Sequence, residues 1–292
     1  SDMSPISECL DTNKVPTTPF VDNFVGTTWS LENDAAWHFD AHKFYAYLRD
    51  DYCLPKGVKR VVAHVTDTTT DADGFITSVH TKQGNITGDL FFDCTEFNNK
   101  TYTDSAWAAA RPYKDKEKEL RLYTNSVALD YGWVWEIPTW ERIGTGYNYA
   151  SKYISDEQAL AEFKEYLGPV ANEMEFCHIK MRNGMSKRLW VKNCVSIGLS
   201  GAFIEPLESN GLMSVHEFLL NFVNIAEGKD TLNNFDAHTF NHVNKEQFLD
   251  FADFVTIHYA MTVRDDTQYW RDIQNQEFND SLLLQEIYNL RG

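Results

Sequence analysis

A nearly all-apolar segment, residues 89–94 (DLFFDC), sets the class of fold that this chain can adopt. A strand that is apolar on both faces is typical of a sheet that is covered on both sides. Two alternating strands are predicted before it, at 58–68 (VKRVVAHVTDT) and 75–81 (FITSVHT), with Asp-Gly and Gln-Gly-Asn turns between the segments. Because these strands alternate with helical patterns, we expect an α/β or α+β enzyme scaffold.

Helical spacing of apolar side chains predicts four helices outside this unit. They cover residues 41–54, 155–168, 212–226 and 245–263. Ser155 is expected to cap the second helix, and Gly168 is expected to lie just past its end. The third helix is mostly apolar, so we expect it to be buried. The charged segment 98–121 predicts a solvated loop.

The composition argues against several classes of partner. The 292 residues include 26 Lys and Arg against 43 Asp and Glu, which gives a net charge of −17. This charge opposes broad binding to nucleic acids or to anionic membranes. No apolar run approaches the roughly 20 residues needed to span a bilayer, and the polar first residues predict no signal peptide. The five scattered cysteines favour a reduced, cytoplasmic setting.

Two tryptophans alternate on one predicted strand, residues 132–138 (GWVWEIP). Side chains at positions i and i+2 share one face of a strand, so the indoles of Trp133 and Trp135 are expected side by side. The pair could form core or interface packing, or a flat aromatic wall beside a conjugated ligand. Gly144 and Gly146 follow, without the third glycine of a dinucleotide-binding fingerprint.

Residues 193–211 (NCVSIGLSGAFIEPLESNG) combine an apolar strand, a Gly/Ser turn and a proline-fixed loop that leads into the predicted apolar helix. Gly198 and Gly201 allow the backbone to approach a ligand closely. Ser209 is predicted to be the helix N-cap, which would leave first-turn amides available to an anion. Glu208 is either an acid favoured by the helix dipole or an acid/base or electrostatic group.

Residues 253–270 combine a histidine, an arginine and acidic residues. His258 lies on an apolar helix face, where a hydrogen-bonded core residue is commoner than a ligand. Arg264 beside Asp265 and Asp266 favours a structural ion pair. No spacing typical of a metal site or of a serine nucleophile occurs in the sequence, so no bound metal is expected.

Taken together, these segments resemble the flavin-dependent tryptophan halogenases. GWVWEIP is similar to the family's Trp-x-Trp-x-Ile-Pro motif, and NCVSIGLSGAFIEPLESNGL is similar to its flavin- and halide-binding loop. AWHFDA, DLFFDC, GTGYNYAS and DFVTIHYAMTVRDDTQYW occur in the family's order. The resemblance covers residues 36–275.

The resemblance implies an FAD-binding, flavoprotein-monooxygenase-like α/β fold, with a Rossmann-type nucleotide-binding sheet, a second β-sheet and a mostly helical C-terminal part. It implies one halogenase domain over residues 1–292, without the family's N-terminal FAD fingerprint, its catalytic lysine and its C-terminal substrate-pocket segment. The implied reaction uses FADH2, O2 and chloride or bromide to halogenate tryptophan, indole or a similar small aromatic through hypohalous acid. A separate flavin reductase would supply FADH2, and a homodimer is a possible assembly.

The same resemblance implies roles for individual residues. Glu208 would be the catalytic carboxylate, and the halide would lie against the amides of Asn210 and Gly211. Trp133 and Trp135 would separate the flavin from the substrate. FAD would contact Val65, Gly198, Leu199, Pro206 and Leu212.

Two departures from the family pattern and two alternative functions accompany the resemblance. Glu96 stands where the family has glycine, and Asn210 replaces a threonine but keeps the backbone amide. A flavoprotein aromatic hydroxylase would share the fold but would have no use for the paired tryptophans. A flavin-binding module without activity is the second alternative, because no lysine in this sequence has the surroundings of the catalytic one.

Overall fold

The computed structural model describes residues 12–15, 19–22, 27–30, 36–95, 103–181 and 183–274. The strands are β1 (Phe20–Asp22), β2 (Thr27–Trp29), β3 (Val65–Thr70), β4 (Ile76–Thr81), β5 (Gly84–Ile86), β6 (Phe91–Asp93), β7 (Ser105–Arg111), β8 (Asn125–Leu129), β9 (Gly132–Pro138), β10 (Ile143–Tyr149), β11 (Phe176–Lys180), β12 (Gly184–Met185), β13 (Trp190–Val191), β14 (Cys194–Ser196) and β15 (Ala202–Phe203). Glu96, singled out from the sequence, lies outside the described residues.

The α-helices are α1 (Ala41–Tyr47), α2 (Lys116–Glu119), α3 (Asp156–Leu167), α4 (Asn210–Ala226), α5 (Asn234–Ala260) and α6 (Gln268–Gln274). The chain forms two compact units. The first contains Ser1–Arg60, Ala106–Asn148 and Ser155–Ile179, and the second contains Val61–Ser105, Tyr149–Ile154 and Lys180–Gly292. The single halogenase domain stays a prediction.

The first unit is built on a five-stranded sheet with the strand order β11-β7-β10-β9-β8. The predicted solvated loop at 98–121 is wrong in part, because Ser105–Arg111 (SAWAAAR) forms strand β7 inside this sheet. Its small apolar side chains fit a buried strand, and Ala106 is fully enclosed. The charged residues that follow suggested a loop, although Lys116–Glu119 forms one helical turn.

Helix α3 of the first unit confirms the predicted cap. The Ser155 side chain accepts a hydrogen bond from the Gln158 backbone N–H, and the Gln158 side chain accepts one from the Ser155 N–H. This reciprocal pairing satisfies two donors that a helix start leaves free. Gly168 follows the last turn with a φ of 71°, a value that glycine adopts without a steric penalty.

The predicted helix at 41–54 is also present in the first unit, although only its first part is α-helical. The Asp40 side chain caps α1 by accepting hydrogen bonds from the backbone N–H groups of His42 and Lys43. The chain then continues as a π-helix and a 3₁₀ turn that ends at Lys56. Gly57 stops it with a φ of 90°.

The second unit contains the later part of the predicted strand 58–68 and the predicted strand 75–81, with a different partner for DLFFDC. Residues 58–64 form no strand. β3, β4 and the short strand β5 form an antiparallel meander. β6 does not extend this meander but pairs in parallel with β14, so that Phe92 lies opposite Val195. Phe92 is 44% exposed and packs edge-to-face on Phe222, so the prediction that both faces of this strand are covered is wrong.

The helices of the second unit are longer than predicted. α4 begins at Asn210, and it is not buried all round, because Phe218 and Phe222 enter the core while Leu219 and Val223 are exposed. α5 begins at Asn234 and ends at Ala260, and α6 follows. The core beneath α4 and α5 contains Leu189, Trp190, Val195, Ile197, Ala202, Phe218, Phe222 and Phe240. Within the described ranges, no helix is both long enough and apolar enough to cross a bilayer.

Candidate functional site

The paired tryptophans lie on strand β9 of the first unit. Their ring centroids are 6.0 Å apart at an interplanar angle of 61°, so the predicted shared face is confirmed. Trp133 is 6% exposed, and Trp135 is half-buried. The register with β8 pairs Ala128 with Trp133 and Ser126 with Trp135, which sets two small residues beside the indole-bearing positions.

Gly146 on β10 explains how the Trp135 indole fits this sheet. A Cβ atom at position 146 would lie 2.2 Å from Cζ2 of Trp135 and 2.8 Å from the carbonyl oxygen of Trp107. The glycine is therefore required by the packing of the Trp135 indole and the Trp107 backbone. The sequence shows a glycine near several aromatic residues. That Gly146 faces Trp135 could not be predicted without the strand order.

The candidate loop of the second unit begins where two parallel strands end. The Ile197 N–H donates to the Asp93 carbonyl oxygen at 2.9 Å, and the Ser200 hydroxyl donates to the same oxygen. The carboxyl end of parallel strands is where open α/β sheets bind ligands. The loop from Ile197 to Ser209 therefore leaves the sheet at a position suited to a binding site.

Packing within the chain explains the glycines of this loop. Gly198 has a φ of 67°, and a Cβ atom there would lie 2.7 Å from Cγ2 of Val215. A Cβ atom at Gly201 would lie 2.6 Å from Cδ2 of Leu189. Both glycines are buried, so they are needed to let the loop pack on α4 and on the core. A flavin contact at Gly198 stays a prediction.

Glu208 and Ser209 both adopt left-handed backbone conformations, with φ values of 58° and 54°. Such values are uncommon for residues with a side chain, and two in succession make an unfavourable turn. Ser209 occupies the cap position of α4, as predicted. Among the described residues, however, its side chain accepts no capping hydrogen bond, because the left-handed backbone replaces the extended conformation of a usual N-cap.

The Glu208 carboxylate lies against a histidine of α5. Its Oε1 is 3.4 Å from Nε2 of His258, whose Nδ1 is 3.0 Å from the Phe254 carbonyl oxygen. The prediction that His258 is hydrogen-bonded is confirmed, but the prediction of a core position is wrong, because its side chain is 37% exposed. Glu208 is also accessible, with half of its side chain exposed.

A second glutamate of the loop, Glu205, was not singled out from the sequence. It is 3% exposed, and the Tyr259 hydroxyl lies 2.7 Å from both of its carboxylate oxygens. The Thr103 hydroxyl donates to Oε2 at 2.7 Å. The only sequence signal was an acidic residue between Ile204 and Pro206, and its partners are far away in the chain.

The predicted flavin contacts lie in the second unit, and most of them are accessible. Leu199 and Leu212 are exposed, and Pro206 is half-buried. Gly211 lies in the first turn of α4, where the position of an added Cβ atom would be 3.7 Å from Phe203. Val65, the predicted adenine contact, is exposed on strand β3.

The charged residues around Arg264, in the second unit, form an ion pair. Arg264 binds Asp266 through Nε and Nη2 at 2.8 and 3.0 Å, which confirms the predicted ion pair. The guanidinium lowers the pKa of Asp266 below its usual value. In the part of the chain that the structure describes, no group of three or more His, Cys, Asp or Glu side chains is placed to hold a metal ion.

Comparison with solved structures defines the class of protein. The apo structure of VirX1 superposes with a TM-score of 0.84 at 34% identity, covering 93% of this chain and 55% of that chain. Tar14, a tryptophan C-6 flavin-dependent halogenase (chlorinase) from taromycin biosynthesis, gives a TM-score of 0.80 at 34% identity, with 86% and 53% covered. The mixed α/β fold is that of the flavin-dependent halogenases, which contain an FAD-binding Rossmann-type sheet.

Sequence comparison then gives the family. The tryptophan halogenase family model matches residues 9–290, so the chain belongs to this family. Tryptophan 6-halogenase ThaL from Streptomyces albogriseolus is 35% identical over 264 residues, which are 85% of this chain and 50% of ThaL. The chain spans about half the length of the curated relatives it matches.

Proposed function

We propose that the protein containing this chain is an FAD-dependent halogenase that acts on tryptophan or another electron-rich aromatic compound. One observation carries the proposal, namely the accessible Glu208 carboxylate on a left-handed turn directly before the first turn of α4. This turn holds an acid beside a row of backbone amides. An aromatic electrophilic substitution would use the carboxylate at the arene and the amides at the halide.

The halide would bind at the start of α4. The first N–H groups of a helix have no partner within the helix, and the helix dipole makes its N-terminus favourable for an anion. Because the Ser209 side chain does not cap this helix, the amides of Asn210 and Gly211 remain suited to a chloride or bromide ion.

FAD would bind along the same loop, through Gly198, Leu199, Pro206 and Leu212. The two exposed leucines fit the apolar ring system of a flavin, because they offer apolar surface that water would otherwise cover. When bound in its reduced form, FAD supplies the reducing power that, together with the halide, reduces oxygen and leaves hypohalous acid. Val65 would contact the adenine.

Glu208 would orient the electrophile and stabilise the positive charge of the arenium intermediate. His258 supports this role through its contacts. The Phe254 carbonyl oxygen can only accept, so Nδ1 carries the ring proton, and Nε2 faces Glu208. A single proton, carried by Nε2 or by Oε1, makes the contact between these two atoms attractive. The pair could therefore hold the proton that the arene loses.

Trp133 and Trp135 would form the partition between flavin and substrate. Their edge-to-face packing and the burial of Trp133 favour a fixed wall over a mobile platform. A wall of this kind would keep the arene from the flavin and so disfavour hydroxylation. A separate flavin reductase as the source of FADH2 is part of the proposal. A homodimer and a cytoplasmic location also stay predictions.

Product analysis tests the proposal. The full-length protein would be supplied with a flavin reductase, FAD, NADH, oxygen, bromide and tryptophan or indole, and the products would be separated by mass spectrometry. We expect a brominated arene that carries the bromine isotope pattern and is missing without bromide. A hydroxylated arene, formed whether or not bromide is present, would contradict the proposal and favour an aromatic hydroxylase.

A further inference from the structure

Glu205 is the most enclosed carboxylate of the candidate loop. Burying a carboxylate is unfavourable unless hydrogen bonds replace its lost water. Here the replacements are hydroxyl groups, because Tyr259 lies 2.7 Å from both carboxylate oxygens and Thr103 lies 2.7 Å from one of them. Burial and then the Glu205 charge raise the pKa of the adjacent Tyr269 well above its usual value.

Consecutive residues of α5 bind the two glutamates of the loop. Tyr259 holds Glu205, and the preceding residue, His258, faces Glu208. Only Pro206 and Leu207 lie between the two glutamates, and the Ser209 N–H closes the turn by donating to the Pro206 carbonyl oxygen at 3.1 Å. The last turn of α5 therefore contacts the loop on both sides of the proline.

The unusual backbone of Glu208 and Ser209 needs such support. A residue with a Cβ atom leaves the left-handed region unless its surroundings hold it there. The exposed contact between Glu208 and His258 is long and accessible to water, so it contributes little restraint. The enclosed contact between Glu205 and Tyr259 is the firmer attachment, because its loss would remove a hydroxyl donor from a buried carboxylate.

We propose that Glu205 is a positioning residue for halogenation, which acts with Tyr259 and Thr103 to hold the loop so that Glu208 keeps its left-handed conformation. This inference rests on the proposed function, because Glu208 has a catalytic role only if the protein is a halogenase. Glu205 itself is too enclosed to touch a substrate. Its effect reaches the reaction through the geometry of Glu208.

Hydroxyl-deleting variants of the full-length protein test the proposal. Tyr259→Phe removes the main donor, and Thr103→Val removes the second donor, while Thr103→Ser restores it. Tyr153→Phe is the matched control, because it deletes a tyrosine hydroxyl that donates to Asp272 at 2.7 Å, in the same unit but outside the loop. Melting temperatures would identify any variant that fails to fold, and the threonine pair then remains available.

Two readouts separate positioning from a general loss of structure. The first is steady-state kinetics, in which we expect kcat of Tyr259→Phe to fall by about 10- to 100-fold, the range for a small displacement of a reacting group. KM for the halide and the Kd for FAD should change little, and Thr103→Ser should recover the activity that Thr103→Val loses. The second is the crystal structure of each variant, in which we expect Glu208 to leave its left-handed conformation.

The outcomes distinguish the two proposals. If the wild-type protein halogenates no aromatic compound, the proposed function fails, and the crystal structures still decide whether Glu205 holds the loop. A Tyr259→Phe structure with an unchanged Glu208 backbone would overturn the positioning role. So would a loss of kcat no larger than that of Tyr153→Phe, or an equal loss in the Thr103→Ser and Thr103→Val variants.

Discussion

The indole of Trp135 occupies the space where a side chain at position 146 would lie, on the neighbouring strand of the first unit. A Cβ atom at position 146 would lie 2.2 and 2.4 Å from two carbon atoms of the Trp135 indole, and 2.8 Å from the Trp107 carbonyl oxygen. The indole can turn, but the carbonyl oxygen belongs to the neighbouring backbone and cannot. The position of the second tryptophan thus depends on a residue with no side chain.

Gly146→Ala should destabilise the protein by about 1–3 kcal/mol, because the extra methyl group overpacks the sheet. Gly144→Ala on the same strand is the matched control, since the nearest atoms to its Cβ position are 3.8 Å away. Urea denaturation measures both free energies of unfolding. Equal stabilities of the two variants would show that Trp135 does not depend on the glycine.

Trp133→Ala should reduce the free energy of unfolding by about 3–5 kcal/mol, as expected for a buried tryptophan that leaves a cavity. The loss at Trp135 should be smaller, because that side chain is only half-buried. Trp140→Ala is the control, since Trp140 is 74% exposed and lies just beyond the same strand. A loss at Trp140 as large as that at Trp133 would contradict the packing described above.

Glu208→Gln should leave the Kd values for FAD and halide unchanged and should lower turnover by roughly 100-fold, the low end for a positioned acid or base. Glu246→Gln is a matched control, because Glu246 faces His242 at 3.9 Å in another exposed glutamate–histidine pair of the same unit. Turnover numbers of the purified variants show whether Glu208 takes part in the reaction. Full activity of Glu208→Gln would remove this residue from the reaction.

The stability of the second unit should fall at low pH through Asp236. The Lys229 ammonium and the Asn233 backbone N–H hold the pKa of this carboxyl below its usual 3.8. A lowered pKa in the folded state stabilises the fold above the unfolded value, and this contribution is lost as the pH falls through the folded pKa. Urea denaturation between about pH 5 and 2, one to two units either side of the usual pKa, measures this effect. The free energy of unfolding of Asp236→Asn should depend less on pH than that of the wild type.

Asp230→Asn provides the control for this pH dependence, because Asp230 is an exposed acidic residue of the loop that precedes α5. Its unfolding curves should follow those of the wild type at every pH. The contribution of Asp236 to the pH dependence would be contradicted if its variant kept the full loss of stability at low pH.

Local patterns in the sequence predicted local structure well. The Ser155 cap depends on residues three positions apart, and the shared face of Trp133 and Trp135 depends on residues two positions apart. Both are set by the period of one helix or one strand, so no knowledge of distant partners is needed. The apolar pattern of α4 was read from residue 212, but the predicted N-cap Ser209 already marked the observed start at Asn210.

Features that depend on distant partners could not be predicted. DLFFDC was expected to belong with the two strands that precede it, but its partner is Cys194–Ser196, which follows the last segment of the first unit along the chain. The glutamate that is enclosed, Glu205, was missed, while the one that is accessible, Glu208, was identified through a family motif. Burial of a charged side chain is decided by the hydroxyl groups of Tyr259 and Thr103, which the local sequence does not contain.

The halide site can be tested by removing one backbone donor. Gly211→Pro deletes an N–H of the first turn of α4, where proline is tolerated because that group has no partner within the helix. Gly211→Ala keeps the N–H and has room for its methyl group. Halide affinity should therefore weaken in the proline variant and stay close to the wild-type value in the alanine variant, with FAD affinity changed little in both.

Anomalous scattering from bromide-soaked crystals of the full-length protein tests the account most directly, because it locates the ion without reference to activity. We expect an anomalous peak in contact with the backbone amides of Asn210 and Gly211, retained in Gly211→Ala and lost or weakened in Gly211→Pro. A bromide peak elsewhere, with none at these amides in the wild-type crystals, would contradict the assignment of the α4 start as the halide site.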